Sequence, residues 1–167
     1  TVLLRPIKPD DEPLWLEMFQ KFSDEAIRYR FFEMIKNLSH EVRMRYCSID
    51  YDKEMAIVAE LTEEGRKHIM AVVRLSMEPD RKSGEIAFIA ADPYQTLGLG
   101  TKMVEYMVEI CQDLGLEAIY GISLPDNLPA IRLMKRIGFT ITHLEDGTVK
   151  AVLNLKEELP DSESKKA

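Results

Sequence analysis

Residues 85–91, Glu-Ile-Ala-Phe-Ile-Ala-Ala, and the glycine-punctuated segment Gln95-Thr96-Leu97-Gly98-Leu99-Gly100-Thr101 constrain this chain more than any other stretch. A nearly unbroken apolar run of this length suits a strand buried on both faces. After the glycines, Met103, Val104, Met107, Val108, Ile110 and Cys111 recur at helical spacing. A strand, a glycine turn and a helix in that order set backbone N–H groups at the positive end of a helix dipole, where phosphate binds without a basic side chain. Two glycines remove the Cβ atoms that would hold a ligand off the backbone. A bare Gly-x-Gly fits a ligand-free turn equally well, so its meaning depends on the elements around it.

Those elements read in order along the chain. Val2–Ile7 is a first strand. Asp10-Asp11-Glu12-Pro13 opens a helix with acids and a proline in its first turn, and Leu14, Trp15, Met18, Phe19 and Phe22 form its apolar stripe. Ser23-Asp24-Glu25 starts a second helix running into Arg28-Tyr29-Arg30-Phe31-Phe32, and Ser39 caps a third. Met55–Glu60 and His68–Met77 are expected to pair as a hairpin across Thr62–Arg66. Beyond the helix that stops at Gly115, Glu117–Ser123 is a strand and Asn127–Ile137 a helix closed by Gly138. Phe139–Leu144 and Val149–Leu155 form a last hairpin around Asp146-Gly147. This order predicts an α/β fold with a mixed sheet. One domain over residues 1–156 is expected, with 157–167 a charged flexible tail.

Composition narrows the function classes. The chain has 167 residues, 46% of them hydrophobic, enough for one domain with a sizeable core. A net charge of −7 leaves no electrostatic footprint for nucleic acid; it favours cationic partners such as amines, although solubility alone accounts for it. No apolar run reaches the length of a membrane span, and Thr1–Pro6 turns polar too soon for a signal peptide. Thr1 in place of an initiator Met is consistent with a processed or excised segment. Cys47 and Cys111 form no Cys-x-x-Cys pair and are expected to be buried free thiols, as suits a cytoplasmic protein, with a disulfide between them left open.

Several motifs fail. Gly100-Thr101-Lys102 lacks P-loop spacing. His40, His68 and His143 are dispersed and show no metal-ligand spacing, so no metal is expected. Gly121-Ile122-Ser123-Leu124-Pro125 lacks the second glycine of a nucleophile elbow. A Rossmann turn would need an acidic ribose ligand and repeated βαβ units that are absent.

With these elements placed, the chain resembles the GNAT superfamily of N-acetyltransferases. Gln95, Gly98 and Gly100 match that family's Q/R-x-x-G-x-G/A loop, and Asn127, Ala130, Gly138 and Phe139 match its N-x-x-A…G-F signature. The segments Arg28–Phe32, Leu38–Glu41, Ile49–Asp52 and Glu54–Ala59 resemble bacterial protein-lysine acetyltransferases of the Pat type. The resemblance implies a mixed, mostly antiparallel, twisted sheet flanked by helices and splayed between its fourth and fifth strands. It implies acetyl-CoA as cosubstrate, held by Gln95, Thr96, Leu97, Gly98, Leu99, Gly100 and Thr101 at the pyrophosphate. Phe88, Ile89 and Ala90 would lie along the pantetheine arm, with unpaired backbone groups at Phe88 and Ala90, and Asn127 nearby. A backbone N–H there would serve as oxyanion donor.

Glu85, at the head of the strand, occupies the place of a general base in Pat-like enzymes; the bland reading is a solvated carboxylate at a strand end. Arg28, Tyr29, Arg30, Asp50 and Tyr51 fall on segments implied to line the acceptor side, against a bland reading in which arginines pair with carboxylates and Asp50 and Tyr51 make a turn. Many small-molecule relatives carry a tyrosine acid seven residues after the asparagine; here that residue is Met134, as in Pat-like enzymes. The implied activity is direct acetyl transfer to a lysine ε-amine of a protein, such as acetyl-CoA synthetase, with a fused or lost regulatory domain in view. The alternatives are a small-amine or amino-acid acetyltransferase and a non-catalytic acyl-CoA-binding module.

Overall fold

A computed structural model describes residues 2–31, 39–91 and 98–156. The expected tail at 157–167 and the loop residues Gln95, Thr96 and Leu97 lie outside these residues. Seven strands form one sheet in the order β1-β2-β3-β4-β5-β7-β6. They are β1 (Val2–Pro6), β2 (Glu54–Glu63), β3 (Arg66–Met77), β4 (Ser83–Ala90), β5 (Ala118–Ser123), β6 (Thr140–His143) and β7 (Val149–Asn154). The helices are α1 (Glu12–Gln20), α2 (Asp24–Phe31), α3 (His40–Cys47), α4 (Leu99–Asp113) and α5 (Leu128–Ile137). Every neighbouring pair is antiparallel except β4–β5, which is parallel.

The central hairpin is longer than apolar patterning predicted. Leu61–Glu63 and Arg66-Lys67 are mostly polar, yet they stay paired because the turn is only Glu64-Gly65, both at positive φ (50° and 76°). That is the geometry whose twist matches the flanking strands.

The sheet separates two cores. On one face α1, α2 and α3 bury Trp15, Met18, Phe19, Ala26, Ile27 and Cys47 against Val58 and Val72. Trp15 stacks on Phe19 and Tyr46, ring centroids 5.6 and 5.1 Å away. On the other face α4 presents Met103, Val104, Met107 and Cys111, all fully buried, to Ile57, Val73, Ile86 and Ile119. Ser23 caps α2 through Ala26 N–H at 3.0 Å, and Ser39 caps α3 through Val42 N–H at 3.3 Å. Cys47 and Cys111 are free and lie on opposite faces of the sheet, so a disulfide between them is ruled out. Burial pushes the two thiols up, to about 11 and about 12. Among the described residues no helix is long and apolar enough to cross a membrane.

Candidate active site

Strands β4 and β5 part company at Glu85. Their parallel pairing runs only through Ser83↔Ala118, Gly84↔Ile119 and Glu85↔Tyr120. Beyond that rung β5 stays paired to β7 through Gly121–Ser123, while β4 stays paired to β3 up to Ala90. A wedge therefore opens in the middle of the sheet, as the resemblance implied. Gly121 sets its apex: a Cβ there would meet the Met134 Cε at 3.2 Å and the Ile86 carbonyl oxygen at 3.4 Å. A side chain there would be tightly placed between α5 and β4, and the end of Met134 would have to yield by a few tenths of an ångström.

The open edge of β4 follows from antiparallel alternation. Ala91 N–H donates to the Met70 carbonyl, so the odd-numbered residues bond toward β3 and the even-numbered ones direct their backbone groups into the wedge. Among the described residues no partner meets the outer edge of Phe88. Ala90 differs from expectation, because it is engaged elsewhere in the chain. The available rung for an added strand is thus at Phe88.

A cavity of about 710 Å³ fills the wedge and passes through the sheet. On one side it meets Tyr29 and Arg30 of α2, and on the other Gly98, Gly100, Thr101, Asn127 and Met134 of the α4 and α5 segments. Phe88, Ile89 and Ala90 lie between them. Leu99 is 9% exposed and anchors α4 in the core. Gly98 is the N-cap of α4 with φ 71°, and no side chain caps the helix. Open space surrounds the position a Gly98 Cβ would take. The N–H groups of Leu99, Gly100 and Thr101 have no acceptor within a helix that starts here, and no acidic residue occupies the first turn. This end of α4 is a cradle fit for a diphosphate. Asn127 spends its side chain on capping α5, accepting from Ala130 N–H at 3.3 Å.

Glu85 stands half-buried on the last shared rung, at the vertex rather than on the cavity wall. It shares the α1–α3 face with Ala87, Arg74 and Tyr120 by register. Tyr120 donates its hydroxyl to Glu78, with the Lys150 ammonium 4.8 Å from its ring. That bond, with burial and the nearby Glu85 charge, pushes the phenol up to about 12. Arg28 and Tyr29 face the opposite lip. Arg28 pairs with Asp126 at 2.9 Å, and the Tyr29 hydroxyl donates to the Asp126 carbonyl at 3.1 Å. The two residues thus clasp α2 to the β5–α5 loop across the cavity. Asp50 and Tyr51 lie away from it. The Asp50 carboxylate accepts from Asp52 N–H at 3.1 Å in a local turn, and the Tyr51 hydroxyl donates to the Ile7 carbonyl at 2.6 Å.

Three residues of this constellation escaped the sequence reading: Arg74, Tyr120 and Asp126. Arg74 alone carried a usable signal, as a single arginine inside a run of buried β3 residues.

Comparison with known proteins places this geometry. A family model described as an acetyltransferase (GNAT) domain matches residues 1–140. An acetyltransferase of Pseudomonas aeruginosa is 25% identical over 154 residues, spanning 92% of this chain and 83% of that protein. The acetyltransferase Pat of Mycolicibacterium smegmatis is 26% identical over 136 residues; the match spans 81% of this chain and only 40% of Pat. The crystal structure of the GNAT domain of S. lividans PAT has a TM-score of 0.81 at 25% identity, covering 90% of this chain and 89% of that one. The spermidine N-acetyltransferase of Vibrio cholerae, solved with CoA and spermine, shares the fold with a TM-score of 0.76 at 18% identity, covering 93% and 96%.

Proposed function

This chain belongs to the GNAT acetyltransferase family, and on that premise we propose that it moves the acetyl group of acetyl-CoA to the ε-amine of a lysine in a protein, with acetyl-CoA synthetase as the candidate acceptor. The observation that carries the reading is the wedge that opens beyond the Glu85–Tyr120 rung. It offers the bare β4 edge at Phe88 to an amide-bearing chain, and the uncapped start of α4 to a diphosphate. Acetyl-CoA supplies an activated thioester. Gly98, Leu99, Gly100 and Thr101 hold the diphosphate through N–H groups, Phe88 pairs with the pantetheine amides, and its N–H steadies developing negative charge on the carbonyl oxygen.

The acceptor amine arrives from the α2 side. A lysine ammonium has a pKa of about 10.4, so little of it is nucleophilic at neutral pH. Glu85, at the vertex, takes the ammonium proton. The nitrogen lone pair then forms the C–N bond as the C–S bond breaks, and the electron pair leaves on sulfur. Met134 lines the cavity and has no proton to give, so the second proton, which the nitrogen sheds as the amide forms, passes to the departing thiolate directly or through water. Cys47 and Cys111 are buried and held protonated, which supports direct transfer over an acyl-enzyme.

The likeness to two Pat proteins supports a lysine acceptor, and the Met134 position agrees with it. The fold shared with a spermidine acetyltransferase keeps a small amine as the second reading. The test is mass spectrometry of acetyl-CoA synthetase after incubation with enzyme and acetyl-CoA, run beside a panel of free amines. Site-specific lysine acetylation is expected, with Glu85→Gln slower by about 10² to 10⁴-fold at neutral pH. Equal rates remove Glu85 from the mechanism. Acetylation confined to free amines replaces the lysine reading with the second one.

A further inference from the structure

Four arginines among the described residues are half-buried: Arg5, Arg30, Arg43 and Arg74. Arg5 lies between Asp11 and Glu60, and Arg43 pairs with Glu12 at 2.7 Å. Arg30 and Arg74 have no carboxylate within 4.0 Å among the described residues. Arg74 is pinned instead by neutral contacts. Its Nη2 donates to the Tyr46 carbonyl at 2.7 Å, and its Cζ lies 4.8 Å from the Tyr46 ring. Arg30 rests its Cζ 5.0 Å from the Phe31 ring and lines the cavity.

The two guanidiniums share the sheet face of Glu85 and are close enough for their charges to oppose each other. Burial first and Arg30 second push Arg74 down to about 10. Arg30 is likewise lowered by burial, with Tyr46 and Glu85 acting in the opposite sense. A half-buried cation without a counter-ion is a costly arrangement. In a chain with seven excess negative charges, an internal partner was easily supplied, as it was for Arg5 and Arg43.

The placement relative to Glu85 gives this vacancy a direction. Arg74 pairs with Ala87 and Ser76 with Glu85, so Arg74 and Glu85 are diagonal neighbours on one face, about 7 Å apart at that register. Glu85 and Arg74 thus stand side by side at the vertex, with Arg30 on the cavity wall of the acceptor side. An approaching lysine ammonium is drawn to Glu85 and repelled by Arg30. An acceptor that carries a negative group beside its amine satisfies both.

We propose that Arg30, backed by Arg74, is a subsite for a carboxylate of the acceptor, so that the enzyme selects a lysine with an aspartate or glutamate next to it. The proposal rests on the lysine reading above and adds the sequence context of the target. A guanidinium meets a carboxylate with paired, charge-assisted hydrogen bonds. Arg74 strengthens the local positive potential without touching the acceptor and is a positioning residue.

Peptides that differ only in the neighbour of one lysine, Asp against Asn, test it. The wild type is expected to favour the Asp peptide by about tenfold in kcat/KM, the scale of one charge-assisted hydrogen bond. The preference falls on the acceptor's KM. It disappears in Arg30→Gln, survives in part in Arg30→Lys and shrinks in Arg74→Gln, with circular dichroism checking the fold of each. Calorimetry with the same peptides, lysine replaced by norleucine, reads the subsite without turnover and is expected to show the same ratio.

Equal binding of Asp and Asn peptides by wild type, or a ratio unchanged in Arg30→Gln, overturns the subsite. Lysine peptides acetylated at one rate whatever their neighbour leave the lysine reading standing and remove the subsite. Free amino acids acetylated instead of peptides, with their advantage over the matching amino-acid amides erased in Arg30→Gln, keep the subsite and remove the lysine reading.

Discussion

The corner around Arg5 and the vertex around Arg30 put the same side chain to opposite ends. At the corner, Asp11 is 2% exposed and takes two bonds of 2.8 Å from the Arg5 guanidinium, and its Oδ2 also accepts the Lys8 N–H at 2.9 Å. Glu60 closes the set from β2, itself paired with Lys67 at 3.4 Å. Every charge there has its opposite, and the cluster ties β1 to β2 and to the turn before α1. At the vertex, Arg30 and Arg74 lean on aromatic rings and a carbonyl, with no carboxylate within 4.0 Å among the described residues. Arg5, which ties strands together, has its charge matched, whereas Arg30, which lines the wedge, has its charge free for the acceptor proposed above. The difference separates groups that hold the fold from groups that wait for an acceptor.

The sharpest way to break this contrast is to remove each arginine in turn. Arg5→Met strands two buried carboxylates and is expected to cost about 3 kcal/mol, a fall in Tm of roughly 10 °C for a chain of this size. Arg30→Met breaks no ion pair among the described residues and is expected to keep Tm or raise it slightly. Calorimetric scans showing equal losses would erase the distinction.

Acid gives a second test. Burial alone would raise Asp11, but the Arg5 bonds and the Lys8 N–H outweigh it, and the carboxyl lies below its usual 3.8. The Arg5 bond likewise lowers Glu60 below 4.5. Groups depressed by folding contribute stability that is complete above those ordinary values and is lost as pH falls through the depressed ones. Stability of the wild type is therefore expected to fall steeply below pH 4.5, and Arg5→Met to flatten that slope. Urea unfolding across that range measures it, and parallel slopes would contradict the ion cluster.

A third test compares two glycines at similar φ, Gly65 at 76° and Gly98 at 71°, each with open space where a Cβ would go. Alanine at either is expected to cost about 1 kcal/mol of stability from the left-handed backbone. Only Gly98→Ala should also weaken CoA, read by calorimetry, because its methyl group would stand in the cradle. The smallest effect is expected from Arg28→Ala. Its pair with Asp126 is exposed, so Tm should hold, while the clasp over the cavity loosens and CoA dissociates faster in stopped-flow measurement.

Local chemistry made much of this molecule legible. The apolar run at 85–91, the capping residues Ser23, Ser39 and Asn127 and the stop at Gly115 each announce themselves within a few neighbours, and the elements follow them. The vertex did not announce itself. Arg74, Glu85 and Tyr120 are brought together by strand order and register, and Tyr46 joins Arg74 by the packing of α3 on the sheet, which no local window contains. Asp11 reads as an acid in a first turn, and its stronger role depends on Arg5 and, beyond it, Glu60 in another strand. Asp50 and Tyr51 show the converse: residues suited to an acceptor site are occupied by a nearby turn and by the Ile7 carbonyl.

The three rungs shared by β4 and β5 coincide with a single passage of the polypeptide, through α4, from one half-sheet to the other. Everything up to β4 belongs to one half, including Arg30, Arg74 and Glu85; everything after α4 belongs to the other. Each half of the sheet is thus built from one continuous stretch of sequence. Chimeras that exchange the first block between related enzymes would carry Phe88 and Glu85 along with the acceptor side, and would leave in place only the diphosphate cradle at the start of α4.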